Sequence, residues 1–467
     1  MINLFNMYFL QKLQFKKNYL EITTFLFIIA FVVVAAFFSW MRYFDHDELE
    51  AIHTAWKMTI GEKIYVDFFQ HHNFLFYNLL EVVLSIFGAG INSIFAARIL
   101  MLAMFLCILL ITYKIARIKF EKNVALLSVF FLSTSVIFIQ KAIEIRPDVP
   151  QTLTGLIAVF FVLKYFKTLD RKYILLSSFF LFISFLFLQK AFFLMFLIGL
   201  LFSYKIIKKQ GKITDFFFYW GVFIFLLFIF LSYLYYCNSL SEYIFLNWTL
   251  NAKSLNVFFP LEYLRISFIQ NPILWVSYFI GVLYLAKKRI FNDVAFLSLG
   301  LLGSVYLTKS PYSQYYMMAM PFVAMVAAFT VFEFFKGNKF LIFVSLIVSV
   351  GFPLNVVVTN LKNTNTEQLK KISYVLSVSK QDDFVYDGDI LFNLFREDID
   401  YFWFSVRPET GLLVAYQMLR NYNYDVYSLI EKKKPMVISN SYIDTQNSVI
   451  LDNYEKSSQY EDLYLLR

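Results

Sequence analysis

One short segment of the chain concentrates side chains that can exchange protons or bind a cation. It starts at Phe44, directly after an apolar run, and carries Asp45, His46, Asp47, Glu48 and Glu50. The only four histidines of the chain fall within the same part of the sequence, together with Asp67: His46, His53, His71 and His72. Carboxylates and imidazoles in such proximity suit general acid–base catalysis or divalent-metal binding. The alternative is a solvated turn before a helix, whose N-terminus favours acids.

The spacing of three of these residues allows a metal site. His46 and Glu50 are four positions apart, and Glu50 and His53 are three apart. On a helix these spacings place the side chains on one face. A divalent metal held by His46, Glu50 and His53 is therefore one hypothesis, and histidines without a metal are the other. The sequence requires no further cofactor.

Two other segments combine charges with prolines or aromatic residues. Residues 141–150 place Arg146 and Asp148 on either side of Pro147, which ends a helix and fixes the local chain. An Arg–Asp pair capping two helices would explain them without a substrate. Residues 309–316 contain Lys309 and Tyr312, which an aromatic belt at the membrane interface would also explain.

Composition sets the environment for these groups. The chain has 467 residues, of which 59% are hydrophobic and only 16% are charged. Soluble domains are about 45–50% apolar and about 25% charged. Apolar runs long enough to cross a bilayer recur along most of the sequence. The net charge of +9 resides in the short breaks between these runs, so it indicates membrane topology and no nucleic-acid partner.

The basic breaks also predict which loops share a side. Lys and Arg form six clusters, from Lys12–Lys17 to Lys336–Lys339. If all six are cytoplasmic, an even number of spans must separate neighbouring clusters. This holds for about eleven spans if Phe74–Phe87, too short to cross, lies in the interface. The N-terminus is then cytoplasmic, and all the candidate segments lie on the outer face of a plasma (inner) membrane, together with Lys190, for which snorkelling is the alternative explanation.

The last hundred residues differ in character from the rest. Residues 1–358 form the predicted membrane domain, with catalytic outer loops at 41–92 and 141–150. Residues 359–467 are polar and predict a small extracytoplasmic α/β domain. Its β-like runs are Asp383–Tyr386, Pro435–Ser439 and Val449–Leu451.

Acids and cations converging at one membrane face suit one reaction in particular. A sugar can be transferred from a lipid phosphate whose tail stays in the bilayer. A carboxylate would take the proton of the acceptor hydroxyl, and cations would stabilise the departing phosphate. A single base with in-line displacement would invert the anomeric centre.

Four sequence blocks resemble glycosyltransferase family 39, within the C superfamily of membrane glycosyltransferases (GT-C). The blocks are Asp45–Glu48, Tyr65–Asn73, Ala97–Leu100 and Glu144–Pro150. The resemblance covers about the first 165 residues. It implies a polytopic α-helical fold with interfacial juxtamembrane helices, and an enzyme similar to protein O-mannosyltransferases and aminoarabinose transferases.

The resemblance also implies roles for individual residues. The family uses an Asp-Glu pair that matches Asp47 and Glu48, which implies Asp47 as the catalytic base. Asp45 is its rival and Asp148 a second acid, so the predicted catalytic residues are Asp47, Glu48, Asp148 and Asp45. A Lys-Pro-Pro motif that is implicated in holding the donor phosphate is absent at His72–Phe74. The predicted substrate-binding residues, chosen from the resemblance and from position, are Arg146, His71, His72, Asp67, Lys190, Lys309 and Tyr312.

The leading hypothesis is therefore an inverting glycosyltransferase. Its expected partners are a polyprenyl-phosphate sugar, the bilayer, and a glycolipid, polysaccharide or protein acceptor. The alternative is a polytopic transporter or lipid flippase, and a scaffold is a third reading. A transporter would place polar residues near the midplane and often shows internal repeats. Here no repeat is evident and the acids lie at one face.

Overall fold

The computed structural model describes residues 19–253, 261–290, 292–308, 312–407 and 411–467. A helical bundle precedes a smaller α/β unit. The long and short helices of the bundle are α1 (Tyr19–Met41), α2 (His46–Thr59), α3 (Leu75–Phe87), α4 (Ile91–Lys119), α5 (Lys122–Ser133), α6 (Val136–Ala142), α7 (Asp148–Thr168), α8 (Arg171–Phe187), α9 (Ala191–Ile207), α10 (Ile213–Tyr236), α11 (Leu240–Ile244), α12 (Glu262–Gln270), α13 (Pro272–Lys287), α14 (Asp293–Val305), α15 (Met320–Phe334) and α16 (Lys339–Asn360). A π-helical turn, Phe245–Leu250, continues α11 into Asn251–Lys253, and a 3₁₀ turn, Ser313–Tyr316, precedes α15.

The apolar helices mark a multi-pass membrane protein. Five described helices, α1, α4, α7, α10 and α16, are long and apolar enough to cross a bilayer. The bent pairs α5–α6 and α12–α13 raise this number to seven by length and composition. The remaining predicted spans coincide with the shorter helices α8, α9, α14 and α15. The polytopic helical class is confirmed, and the figure of eleven crossings stays a prediction.

The bundle has two chemically different ends. At one end, Lys119 and Lys205 pair with the buried Asp293, and Arg171 pairs with the buried Asp215 at 2.8 Å. These cations belong to the clusters predicted to be cytoplasmic. The loops around Asp47 and Arg146 contact each other instead, as described below. The basic clusters and the candidate site thus lie at different ends, as expected if an even number of spans separates neighbouring basic clusters. The side of the membrane that each end faces remains a prediction.

Helix α3 is the segment predicted to lie in the interface. It buries Phe76, Leu80 and Val83, which follow the four- and three-residue spacing of one helix face. Ile86 and Phe87 remain exposed. The helix packs against α2, the element that carries the acidic cluster. Its position therefore fixes how α2 is oriented.

The C-terminal unit contains helices around a mixed sheet. Its elements are α17 (Thr366–Val378), β1 (Phe384–Tyr386), β2 (Glu397–Asp398), α18 (Leu412–Arg420), α19 (Val426–Lys433), β3 (Val437–Ser439), α20 (Ser448–Asn453), β4 (Tyr454–Lys456) and β5 (Leu463–Leu466). The strand order is β2-β1-β3-β5-β4. β1 runs parallel to β2 and β3, and β5 is antiparallel to β3 and β4. The predicted α/β class is confirmed.

Two of the three predicted strands are present, and the third prediction was wrong. Val449–Leu451 lies in helix α20. The Asn447 side chain caps this helix by accepting the Val449 N–H at 3.0 Å. A cap of this kind favours a helix start strongly enough to outweigh the β preference of a short apolar run.

Candidate active site

The first residues of α2 cap the helix with their own side chains. The Asp45 carboxylate accepts the N–H of Asp47 at 3.2 Å, and the Glu48 carboxylate accepts the N–H of Asp45 at 3.0 Å. This reciprocal arrangement is a capping box. It fixes the first turn of α2 and thereby the direction in which Asp47 projects.

Glu48 is held from several sides and has no exposed surface. Arg98 of α4 donates to its two oxygens at 2.8 and 2.7 Å, and the Ile145 N–H donates to it at 3.0 Å. Arg98 also donates to the carbonyls of Arg42 and Tyr43 at the end of α1. Glu48 thus joins α1, α2, α4 and the loop 141–150. Glu48 directly follows the predicted catalytic base, Asp47. Its buried contacts are those of a residue that positions this base.

Asp47 is the accessible carboxylate of the cluster, with a side chain that is 30% exposed. Arg146 Nη2 contacts one of its oxygens, and His46 Nε2 lies 2.9 Å from the other. Burial would raise the pKa of the Asp47 carboxyl, but Arg146 and the His46 hydrogen bond outweigh it and hold this pKa well below its usual range. The hydrogen bond to Asp47 also raises the pKa of His46 to about 9, against the opposing effect of its burial.

Arg146 lies at the centre of a network of charges. Its guanidinium is 3.2 Å from Glu144, 3.6 Å from Asp45 and 3.9 Å from Asp148. Lys141 joins the same network at 2.8 Å from Glu144 and 3.3 Å from Asp45. The Arg146 side chain is only 4% exposed, so its charge acts in a poorly solvated setting. An anion that reaches this site would compete with carboxylates already paired with it.

A second cation lies on the far side of Asp148. Lys190 Nζ is 3.3 Å from the Asp148 carboxylate and 3.4 Å above the centre of the Tyr315 ring. The cleft around it is lined by polar and apolar side chains together, among them Gln151, Phe193, Leu301, Thr308, Gln314 and Met318. The cleft therefore places one positive charge among both polar and apolar side chains.

His71 and His72 both lie close enough to Lys190 for its charge to lower their pKa values. Burial and the neighbouring His72 hold the pKa of His71 well below its usual range. Burial and the charge of Lys190 lower the pKa of His72 to about 3. The two rings lie 4.0 Å apart, centre to centre. Neutral imidazoles can donate or accept hydrogen bonds, but they bring no positive charge of their own.

The predicted metal ligands do not converge. Glu50 accepts hydrogen bonds from Gln70, Thr54 and Tyr77, and His53 Nε2 lies 2.8 Å from Asp398. His46 points instead to Asp45 and Asp47, and ligand atoms of these three lie within 4.8 Å of one another. Imidazole and carboxylate donors suit a divalent cation. If a cation binds here, Asp45, His46 and Asp47 would hold it.

The three remaining residues predicted to bind substrate are Asp67, Tyr312 and Lys309. Asp67 is exposed and accepts the Lys63 N–H at 2.7 Å within a local turn, so no described contact joins it to the charge network. Tyr312 is 38% exposed, with its ring 6.1 Å from that of Tyr315. Lys309 lies outside the described residues.

The segment 398–404 of the C-terminal unit was missed by the sequence analysis. Trp403 donates its indole N–H to the Phe69 carbonyl at 2.9 Å, and the Phe69 N–H donates to the Tyr401 carbonyl at 3.0 Å. The Phe404 ring lies 5.1 Å from that of His71. The C-terminal unit therefore holds the loop that carries His71 and His72. The available signal was the aromatic run from Tyr401 to Phe404 within a polar tail.

Comparisons with known proteins agree with this architecture. The family model "Dolichyl-phosphate-mannose-protein mannosyltransferase" matches residues 71–236, a stretch that includes His71, Arg146 and Lys190. No curated protein gives a significant sequence match.

Two solved structures with similar folds are informative. ArnT from Cupriavidus metallidurans bound to undecaprenyl phosphate has a TM-score of 0.68 at 12% identity, covering 94% of this chain and 97% of that one. The archaeal oligosaccharyltransferase AglB from Archaeoglobus fulgidus, in complex with an inhibitory peptide and a dolichol-phosphate, has a TM-score of 0.54 at 10% identity, covering 97% of this chain and 75% of that one. The resemblance predicted from the sequence is thus confirmed over residues 71–236 by the family model, and the fold is shared with these two structures over 94% and 97% of the chain.

Proposed function

We propose that this protein is an inverting glycosyltransferase that moves a sugar from a polyprenyl-phosphate donor to an acceptor hydroxyl at the outer face of the plasma membrane. The observation that carries the proposal is the arrangement of Asp47, Arg146 and Lys190. A partly exposed carboxylate contacts one buried cation, and a second cation, on the other side of Asp148, lines a cleft that also contains Phe193, Leu301 and Met318. The similarity to glycosyltransferases that were solved with lipid phosphates supports it.

Asp47 acts as the general base. The acceptor oxygen attacks the anomeric carbon of the donor, the bond from that carbon to the phosphate oxygen breaks, and Asp47 takes the hydroxyl proton. Attack from the side opposite to the phosphate inverts the anomeric centre. The contact with Arg146 keeps the pKa of Asp47 low, which makes it a weak base. A donor phosphate that pairs with Arg146 in place offsets its positive charge and raises this pKa, so the base is strengthened when the donor is bound.

Arg146 and Lys190 receive the phosphate. The leaving group gains negative charge as the glycosidic bond breaks, and cations held in place beforehand stabilise that charge. Asp148 lies between the two, 3.9 Å from Arg146 and 3.3 Å from Lys190, and orients both. The prenyl chain follows the apolar wall of Phe193, Leu301 and Met318 into the bilayer.

A transport function is the less favoured candidate. The charged groups of the candidate site gather at one end of the bundle, whereas transporters place their polar sites near the midplane. The acceptor is a hydroxyl of a glycolipid, a polysaccharide or a protein, and the geometry does not favour one of these.

The test is transfer of radiolabel from a panel of polyprenyl-phosphate sugars in membranes. Asp47→Asn should lower kcat by at least about a hundredfold at equal expression, since a general base contributes about 10²–10⁴. Asp382→Asn, at an exposed position of the C-terminal unit, is the matched control and should retain activity. A loss of transfer activity in Asp45→Asn but not in Asp47→Asn would assign the role of general base to Asp45. Absence of transfer by the folded wild type from every donor would overturn the proposal.

A further inference from the structure

A groove lies between helices α1, α6 and α16, and it shares no lining residue with the cleft around Lys190. It encloses about 460 Å³, within the range of about 300–1,000 Å³ that ligand pockets usually have. Each helix lines it with one face. On α1 these residues are Phe31, Val34 and Phe38, which are spaced three and four positions apart. The groove therefore runs along the helices.

The sequence of α16 accounts for this gap. Pro353 has no N–H and cannot donate to the Ser349 carbonyl one turn earlier, so it interrupts the helix ladder. Up to this point α16 buries Ile342, Leu346, Ser349 and Pro353, whereas residues 354–360 include no buried residue. The last turns of α16 thus pack less closely against the bundle. Because α1 and α16 are both long and apolar enough to cross a bilayer, the gap opens among hydrocarbon.

The described lining residues are polar at one end of the groove only. Arg42 follows the last residue of α1, Gln140 lies in the last turn of α6, and Asn360 ends α16. The same end carries Glu144, which connects it to the charge network of the candidate site. A ligand that fills the groove must be apolar along its length and polar at this end, as a lipid chain with its headgroup is.

Arg42 is the cation at this end, and its charge is incompletely compensated. Its Nη1 donates to the Gln140 carbonyl at 3.0 Å, and its Nη2 lies 2.8 Å from Oε1 of Glu144, an oxygen with no hydrogen-bond partner within the described residues. Glu144 also contacts Lys141 at 2.8 Å and Arg146 at 3.2 Å, so one carboxylate serves three cations. The Arg42 side chain is 11% exposed and can be reached from the groove. A phosphate suits this position, because a guanidinium can donate to two of its oxygens at once.

We propose that this groove binds an anionic phospholipid, with one acyl chain between α1, α6 and α16 and the phosphate at Arg42. Basic pockets between membrane-spanning helices bind anionic lipid headgroups in this way. The lipid is neither donor nor acceptor, so the inference goes beyond the proposed function and does not depend on it. A lipid fits better than a second copy of the chain, because one molecule supplies both the hydrocarbon and the negative charge at its end.

Native mass spectrometry of the purified full chain in detergent counts bound lipids and tests the site. The probes are phosphatidylglycerol, diacylglycerol with the same acyl chains, and glycerol 3-phosphate. The wild type should bind one phosphatidylglycerol at least about tenfold more tightly than diacylglycerol, because the phosphate adds a charge-assisted hydrogen bond. Glycerol 3-phosphate should not displace the lipid, since it has no chain to fill the groove.

Two variants separate the roles of the charge and of the groove. Arg42→Gln should weaken the binding of phosphatidylglycerol about tenfold and leave that of diacylglycerol within about twofold. Glu144 keeps Lys141 and Arg146 as partners in this variant, so we expect it to fold, and its apparent unfolding temperature checks this. Val357→Trp fills the groove and should abolish the binding of both lipids. Lys362→Gln, which removes an exposed cation just beyond α16, is the matched control and should bind as the wild type does.

Equal wild-type affinity for phosphatidylglycerol and diacylglycerol would overturn the proposal. Binding of phosphatidylglycerol at wild-type strength in Arg42→Gln or in Val357→Trp would overturn it as well. A wild-type dimer that Val357→Trp separates would assign the groove to a second copy of the chain instead. Sugar transfer plays no part in these measurements, so their result is independent of the proposed function.

Discussion

Oδ2 of Asp398 lies 2.8 Å from Nε2 of His53, although 345 positions separate the two residues. The same carboxylate oxygen lies 3.1 Å from Lys57 Nζ, one helical turn further along α2. His53 has no exposed surface and the Lys57 side chain is 4% exposed. The C-terminal unit is thus joined by charge to the helix that presents Asp47.

We expect Asp398→Asn to loosen this junction. Lys57 keeps Glu62 at 3.0 Å and Glu397 at 3.7 Å in this variant, so the expected cost is that of the weakened charge-assisted hydrogen bonds to His53 and Lys57, about 1.5–3 kcal/mol. Limited proteolysis should then cleave the segment 398–407 markedly faster than in the wild type, and kcat/KM should fall because Trp403 and Phe404 no longer hold the histidine loop. Asp382→Asn, at an exposed position, is the control. Wild-type cleavage rates in Asp398→Asn would show that the ion pair does not secure the unit.

Local patterns predicted much of the membrane part of this chain. Apolar runs and basic breaks anticipated the helices and the gathering of Asp47, Arg146 and Lys190 at one end, because both follow from the cost of placing charge in hydrocarbon. The capping box of Asp45 and Glu48 is also visible in the spacing Asp-x-x-Glu.

The tertiary contacts of the predicted site residues could not be predicted from local sequence patterns. Helical spacing predicted that His46, Glu50 and His53 share one site. In the structure His46 contacts Asp47, Glu50 accepts from Tyr77 of α3, and His53 contacts Asp398 of the C-terminal unit. Arg98 and Asp398 became partners only through tertiary packing, which no local pattern specifies. His71 and His72 were predicted only as substrate-binding residues, and the burial that lowers the pKa of both arises from packing that the sequence does not specify.

A second prediction concerns the buried pair of Glu48 and Arg98. Glu48→Gln and Arg98→Gln should each lower stability by about 3–5 kcal/mol, because each leaves a buried charge unpaired. The double variant should be less destabilised than the sum of the two, since neither charge remains. Apparent unfolding temperatures measured in detergent provide the comparison. Lys122→Ala breaks the exposed pair with Glu21 and should change stability by less than about 1 kcal/mol. Additive losses would contradict the pairing.

Lys190 provides a third prediction, specific to donor binding. Lys190→Met should raise KM for the lipid-linked donor about tenfold to a hundredfold, the range expected for losing one charge-assisted hydrogen bond of about 1.5–3 kcal/mol. Lys190→Arg should recover part of this loss, because the positive charge remains above Tyr315. Steady-state kinetics with varied donor would separate KM from kcat. An unchanged KM in Lys190→Met would remove this residue from the phosphate site.

The last prediction follows from Glu50, a buried acid whose pKa is raised by its burial to about 7. Its ordinary value is 4.5, so the folded chain keeps this proton between about pH 4.5 and 7 while the unfolded chain releases it. Stability from this group is therefore fully present below pH 4.5 and is lost as the pH rises through 7. The total change is on the order of 3 kcal/mol. Glu50→Gln has no proton to release and should lack this decline.

The measurement is the difference in apparent unfolding temperature between Glu50→Gln and the wild type from pH 4.5 to 8.5. Other titrating groups are common to both proteins and cancel in the difference. The variant should gain on the wild type as the pH rises, with most of the gain complete near pH 7.5. Glu461→Gln, at an exposed position, should follow the wild type throughout. A constant difference across the range would mean that Glu50 is already ionised in the folded chain, and its hydrogen bonds from Gln70, Thr54 and Tyr77 would then be those of a stabilised carboxylate.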